Sequence, residues 1–392
     1  MMPQDSVNAQ FGRWQRNALL FGVAGVLVVI AGLLLDRQQA LRSYLFAYLY
    51  WMGMGLGSMG ILLLHHTVGG KWGMLIRRMC EAGCRTLPYM AILLIPVLLS
   101  IPTLYPWARP DAVHNANIQA KAAYLNVPFF LARAVFYFVV WTFYAWRLSK
   151  WSAEQDQTGD EKLISKMRAV SAPGLVVFTF VTTFAFVDWI MSLEPNWFST
   201  IYGAMFLIGQ MLETFAFFIA LVIVLSDRPP LKEFVTTQHL HDLGNMMFAF
   251  MVLWAYLSFS QFLIIWAGNL PDEIPWYLRR LRGGWGWVAL TLVIFHFATP
   301  FVLLLTRKVK RNAGRLIRVC ILMIVIRLVD VYWVVKPAFY NQHLSIYWMD
   351  FIAPVAIGGL WLALFFWQLK SAPLLPLRDP RLLGAPRETV AF

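Results

Sequence analysis

The chain is poor in charge and cysteine and has no long polar stretch. Only 14% of its 392 residues are Asp, Glu, Lys or Arg, against 59% that are hydrophobic. Soluble domains carry about 25% charged residues, so this composition excludes a water-soluble enzyme fold. Cys80, Cys84 and Cys320 make no disulfide framework, and no C-x-x-C, C-x-x-C-H or ferredoxin-like run occurs. Attached haem c and a complete iron–sulfur ligand set are therefore not expected in this chain, and no metal site is. The net charge of +13 comes without a basic tail carrying interleaved aromatics, which argues against nucleic-acid binding. Asp5, Arg13 and Arg16 precede the first apolar run without a small-residue cleavage site, so no cleaved signal peptide is expected. The connecting loops are too short to hold a folded domain.

What fills the chain instead is apolar runs of membrane-crossing length. Ten are expected, at about 17–35, 44–64, 85–107, 127–149, 171–193, 198–225, 240–268, 284–306, 315–335 and 346–369. They predict an all-α polytopic membrane protein of about ten transmembrane helices. Pro88, Pro96 and Pro102 predict a kinked or broken third span, and the seventh run, the longest, should tilt or project. Lys and Arg crowd into alternate loops, which predicts that both termini are cytoplasmic. The segment near 151–170 reads as a solvated connection, and the Pro- and Arg-rich tail, 371–392, as an extended cytoplasmic segment.

One pattern occurs twice. Val187-Asp188 is followed by Glu194, Pro195, Trp197 and Phe198. Val329-Asp330 is followed by Lys336, Pro337, Phe339 and Tyr340 at the same spacings. A carboxylate near the end of a membrane helix is costly, so two in matched positions need a reason. One reading is two similar helix exits, each an acid, an aromatic belt and a helix-stopping Pro. The other is a parallel repeat of two four-helix bundles, 44–193 and 198–335, with the first and last spans flanking them.

The polar residues inside the runs are the candidate site. Glu213 and His296 lie midway along the sixth and eighth runs, either as a neutral hydrogen-bonded pair or as a proton carrier. Arg327 and Asp330, three apart, share a helix face and can pair, and Arg133 lies at a depth where it could meet Asp188. Mutual neutralisation accounts for these charges; so does an ion or quinone path, which Asn245 and Gln261 could extend. His65 and His66 end the second run, while His241 and Asp242 open the seventh. Adjacent helix residues point about 100° apart, so His65 and His66 do not share one ligand, and a proton-entry cluster is favoured over haem or metal. The stretch Gly53 to Gly60 contains G-x-G-x-x-G, but no strand precedes it, so the dinucleotide reading fails and small residues at Gly53, Gly57 and Gly60 predict close helix packing instead. Trp276, Tyr277, Trp285 and Trp287 read mainly as an interfacial belt, with some available for a flat quinone slot.

Several segments resemble a known family. They are Gly57-Ser58-Met59-Gly60 with His65-His66, Gly69-Gly70-Lys71-Trp72-Gly73 and Arg77-Arg78; Asp188 to Pro195; His241-Asp242-Leu243-Gly244-Asn245; and Trp266 to Pro271 with Trp276-Tyr277. Over nearly its whole length the chain resembles the NrfD-like (polysulfide-reductase membrane-subunit) family, closest to the ActF type of bacterial alternative complex III. The resemblance implies a multi-pass subunit of a quinol:cytochrome c, or other periplasmic acceptor, oxidoreductase in the bacterial cytoplasmic membrane, serving respiratory electron transfer. It implies partners: an NrfD-like sister subunit that holds the principal quinol site, an iron–sulfur protein, c-type cytochromes and membrane lipids, with a terminal oxidase as a further candidate. Haem c and iron–sulfur clusters would belong to those partners. This chain would serve as scaffold and proton path, without redox catalysis of its own; a second quinone or quinol site is the alternative. An independent proton-coupled transporter is a third reading, from a different class.

Overall fold

The structure, a computed structural model, describes residues 3–340, 342–376 and 378–383. Every regular element among them is helical. Short turns aside, these are α1 (Pro3–Leu35), α2 (Arg37–Val68), α3 (Arg77–Cys84), α4 (Leu87–Leu98), α5 (Val127–Thr158), α6 (Lys162–Trp189), α7 (Tyr202–Leu225), α8 (Thr237–Gly268), α9 (Pro275–Leu281), α10 (Trp285–Leu292), α11 (Thr299–Leu305), α12 (Ala313–Val335) and α13 (Met349–Leu369). Among the described residues nine helices, taking α3 with α4 and α10 with α11, are long and apolar enough to cross a membrane. A tenth, α12, has 23 residues but carries Arg315, Arg318, Arg327 and Asp330. At 1.5 Å per residue it is about 34 Å long, which matches a bilayer core.

Polar side chains set the helix starts. Asp36, Asn126, Thr236 and Asn312 accept from the backbone N–H three residues on, satisfying donors that a first turn leaves open. Gly159 and Asn269 end α5 and α8 in the left-handed region. The third span is broken as its prolines predict. Pro88 opens α4, Pro96 lies inside it, and a separate turn begins at Ile101. The eighth span hides a feature that its sequence pattern does not announce: Val293–Ala298, between α10 and α11, is a π-helical turn. Pro300 lies four residues beyond His296 and cannot donate to its carbonyl, which favours the local widening.

Helix packing gives two four-helix rings. The first joins α2, α3–α4, α5 and α6, and the second joins α7, α8, α10–α11 and α12. They meet where α2 packs along α7, while α13 covers α2 and α1 covers α13. The α2–α7 seam is close. A Cβ on Gly57 would lie 2.1 Å from Thr214 Oγ1 and 2.5 Å from the Gln210 carbonyl oxygen. The glycine stretch is thus a packing surface.

Three expectations need correction. The seventh span is not distinctive in length, since α2, α5 and α8 each have 32 residues and α1 has 33. The segment near 151–170 is not merely solvated, because α5 runs on to Thr158 and buries Trp151, Ser152 and Gln155. Of the expected belt aromatics only Trp287 is exposed; Trp276, Tyr277 and Trp285 are buried. The loop after α8 folds back, so Trp276 stacks on Trp197 at 4.8 Å and Trp285 Nε1 donates to the Tyr340 carbonyl at 3.0 Å.

Gly57→Val should cost about 1–3 kcal/mol by forcing the two rings apart. Gly12→Ala, where a Cβ meets nothing within 4 Å, should be neutral or slightly stabilising. Thermal unfolding in detergent would read the difference, and equal midpoints for the two variants would contradict the seam.

Candidate functional site

Each ring holds a buried ionic centre at the Asp of its repeated segment. In the first, Asp188 lies in the last turn of α6, fully buried. Arg133, from the first turns of α5, grips it with two bonds of 2.8 Å, Nε to Oδ2 and Nη2 to Oδ1. The Tyr137 hydroxyl donates to Oδ2 at 2.6 Å. Arg133 also donates to the Tyr124 carbonyl at 2.9 Å and lies 3.8 Å from the centre of the Tyr124 ring. A bidentate guanidinium with a hydroxyl beside it leaves this carboxylate well satisfied. The expected Arg133–Asp188 approach is present.

The second centre is built differently. Arg327 pairs with Asp330 one turn along α12, as their spacing predicts. It lies 4.0 Å from Glu213 on α7, and its Nη2 reaches the Phe206 carbonyl only at 3.4 Å. Gly209 makes room for this, since a Cβ there would fall 2.6 Å from the guanidinium. His296, in the π-helical turn, sits 3.8 Å from Asp330 and 3.9 Å from the Trp254 ring. No hydrogen bond of ordinary geometry reaches either Glu213 oxygen or either His296 nitrogen among the described residues, although the Tyr50 hydroxyl, which donates to the Ile324 carbonyl at 3.0 Å, lies beside Glu213. Glu213 and His296 therefore do not form the direct pair considered above. They lie on two sides of the Arg327–Asp330 pair. Asp330 also borders a cavity of about 660 Å³ lined by Trp254, Phe262, Tyr277, Phe297 and Trp333.

The charge six positions after each Asp is paired as well, in opposite senses. Glu194 accepts from Arg279 at 2.8 Å and from Arg280 at 2.6 Å, both on α9. Lys336 pairs with Asp350 at the start of α13 and donates to Ser43 of α2 at 3.3 Å. Burial pulls the Lys336 pKa below the ordinary lysine value, while Asp350 opposes that. The two exits thus tie the first ring to the second, and the second to α13 and back to the first.

The remaining candidates fall into separate clusters. His65 and His66 are buried within the protein, with His65 packed edge-on to Trp72. His241 sits beside Asn245, whose Oδ1 accepts from Lys310 at 2.7 Å, and Asp242 accepts from Gln238. Asn245 and Gln261 are 16 residues apart on α8, about 24 Å by helical rise. Gln261 meets Ser199 at 3.3 Å. The Trp72 ring lies 5.3 Å from that of His65 and 6.0 Å from that of Phe215 on α7.

A third ionic group was not foreseen. Arg77, Arg78 and Glu81 on α3 form a buried cluster in which Arg78 also pairs with Asp156. Ser152 Oγ donates to Glu81 at 2.5 Å, and Gln155 accepts from Arg77 at 3.0 Å. Asp379 of the C-terminal segment is buried against Arg77 at 2.9 Å, with Arg381 at 2.7 Å. So the tail docks as far as it is described; residues 384–392 lie outside the described residues. The spacing of Arg77 and Glu81 was the available signal, being an i,i+4 helical pair. Asp379, 302 residues away, had none.

No group of three or more His, Cys, Asp or Glu among the described residues could hold a metal ion. No protein-family model matches the chain, and no curated protein matches it either.

Two outcomes follow. Arg327→Gln alone should cost about 3–5 kcal/mol, because it strands a buried carboxylate. Adding Asp330→Asn should recover much of that, and a double-mutant cycle in thermal unfolding would show a coupling well above 0.5 kcal/mol. For the tail, burial works against the Asp379 carboxylate, yet Arg381 and Arg77 hold its pKa below the ordinary carboxylate value of about 3.9. A lowered folded pKa stabilises docking above the unfolded pKa and is lost as pH falls through the folded one. Protease access to the tail should therefore stay low at pH 5–8 and rise only below about pH 4, whereas Asp379→Asn should raise it at neutral pH.

Proposed function

We propose that the chain is an integral membrane subunit of a quinol:acceptor oxidoreductase of the alternative complex III type. In this reading it is a scaffold with a proton-conducting centre, and haem c and iron–sulfur clusters reside in partner subunits. Support comes from the quoted family segments and from the paired four-helix rings with two flanking helices. One observation carries the proton role: Glu213, Arg327, Asp330 and His296 lie together in the ring interior, and no hydrogen bond of ordinary geometry reaches half of that group among the described residues. Buried polar groups are ordinarily satisfied. Ionisable groups left short of partners inside a membrane bundle can exchange a proton at low structural cost, whereas protonating Asp188 would disturb two bonds from Arg133 and one from Tyr137.

The alternative of a quinone site is favoured by a separate observation. The cavity beside Asp330 has the aromatic walls and the single carboxylate that a quinone head needs, and its volume of about 660 Å³ lies in the usual range for ligand sites. The two readings are compatible: a quinol oxidised there would pass its two electrons to the iron–sulfur clusters of a partner subunit and release two protons, one of which Asp330 is placed to accept.

Gentle detergent extraction tests the assembly. The chain should comigrate with haem c absorbance in a complex of several subunits. A colourless protein migrating alone would sink this reading and favour a separate carrier. A photoreactive quinone should label α8 or α10 if the cavity is occupied, and Ala255→Trp should abolish that label. Labelling confined to another subunit would remove the quinone reading and leave the proton role standing.

A further inference from the structure

On the outer face of the first ring, a groove runs between α4 and α5. It encloses about 590 Å³ and is almost wholly apolar, with Pro88, Ala91 and Leu98 on one wall and Val135, Val139 and Trp146 on the other. Ala91 and Ala134 keep its floor low. Val135, Val139 and Trp146 are more than half exposed, so nothing within the chain fills it. The α5 wall follows one helical stripe, 135, 139, 142 and 146, at the i+3 and i+4 steps that place residues on one face.

Continuing that stripe by one step reaches Ser149 and Lys150. Here the character of the surface changes. The Lys150 ammonium lies 5.3 Å from the Trp146 ring, and the Arg147 guanidinium lies 6.0 Å from it and 4.0 Å from that of Trp151. Neither cation forms an ion pair with a carboxylate among the described residues, and the Ser149 hydroxyl is buried without a hydrogen-bond partner. The exposed Glu154, one turn beyond Lys150, pairs with neither. An apolar channel thus ends in an indole and two cations, over the depth at which a membrane passes from hydrocarbon to headgroups.

We propose that this groove is a binding site for an anionic glycerophospholipid. An acyl chain would lie along α4 and α5, and the phosphate would be held by Arg147 and Lys150. The occupant is argued from charge complementarity. A partner's apolar helix would fill the groove but leave both cations unmatched, whereas a phosphodiester answers them both. The site is independent of the function proposed above and would stand if that reading failed.

The test uses the full chain in the assembly from which it is purified, delipidated and then exposed to phosphatidylglycerol or phosphatidylcholine, with native mass spectrometry counting bound lipid. Wild type should retain phosphatidylglycerol with a preference of roughly tenfold or more, since each basic side chain near an anionic lipid contributes several-fold. Arg147→Gln with Lys150→Gln should abolish the preference. Ala91→Trp, which blocks the channel and leaves the cations in place, should abolish retention. An unchanged unfolding midpoint in lipid-free detergent would certify that both variants are folded. Equal retention of the two lipids by wild type, or a preference that survives both variants, would overturn the site. So would a cross-link from Val139→Cys to another subunit's transmembrane helix.

Discussion

A charge inside a membrane persists only where an opposite charge or several hydrogen bonds meet it, because the lipid around the protein offers neither. The architecture of this chain follows from that requirement. Asp188 is matched by Arg133 across α6 and α5, Glu194 by Arg279 and Arg280 across the two rings, Lys336 by Asp350 across α12 and α13, and Arg77 by Glu81 and Asp379 across the chain's whole length. Between apolar helices in lipid there is little hydrophobic force to select one register. Apart from the Arg77–Glu81 pair within α3, each of these pairs joins two defined positions on different segments, and any slip would strand both charges. The pairs therefore hold register, while glycine and aromatic contacts supply close packing along the same seams.

The two ionic centres occupy equivalent places in the two rings yet differ in how completely they are satisfied. Asp188 accepts three side-chain bonds. In the second ring one guanidinium stands between two carboxylates, with a histidine beside the pair and a π-helical turn holding that histidine. One cation between two acids leaves one negative charge short of a partner, and such a site can take up or release a proton without dismantling a saturated network. The first centre fastens its ring through a saturated set of bonds, whereas the second leaves Glu213 and His296 less completely met.

Much of the fold was legible. Ten apolar runs, the proline breaks in the third, the glycine packing stretch and the pairing of Arg327 with Asp330 all follow from local pattern. So does the depth match of Arg133 and Asp188, because helical rise and topology set depth. Contacts between segments distant in sequence were not legible. Asp379 on Arg77, Lys336 on Asp350 and the burial of Trp276 depend on where loops fold back, for which neither periodicity nor charge carries a signal. The π-helical turn had a partial signal in Pro300, which reads equally well as an ordinary helix kink. The candidate proton carriers were ordered by depth alone, and depth does not say which ring a side chain faces.

The claim that matters most is that the Glu213–Arg327–Asp330–His296 group, rather than Asp188, carries protons. It is tested most directly by reconstituting the complex in liposomes and counting protons released per quinol oxidised, in wild type, Glu213→Gln and Asp188→Asn. Glu213→Gln should lower the ratio with assembly and haem content intact, and Asp188→Asn should lower stability but leave the ratio of the surviving complex unchanged. An unchanged ratio in fully assembled Glu213→Gln would contradict the claim and leave the chain a scaffold.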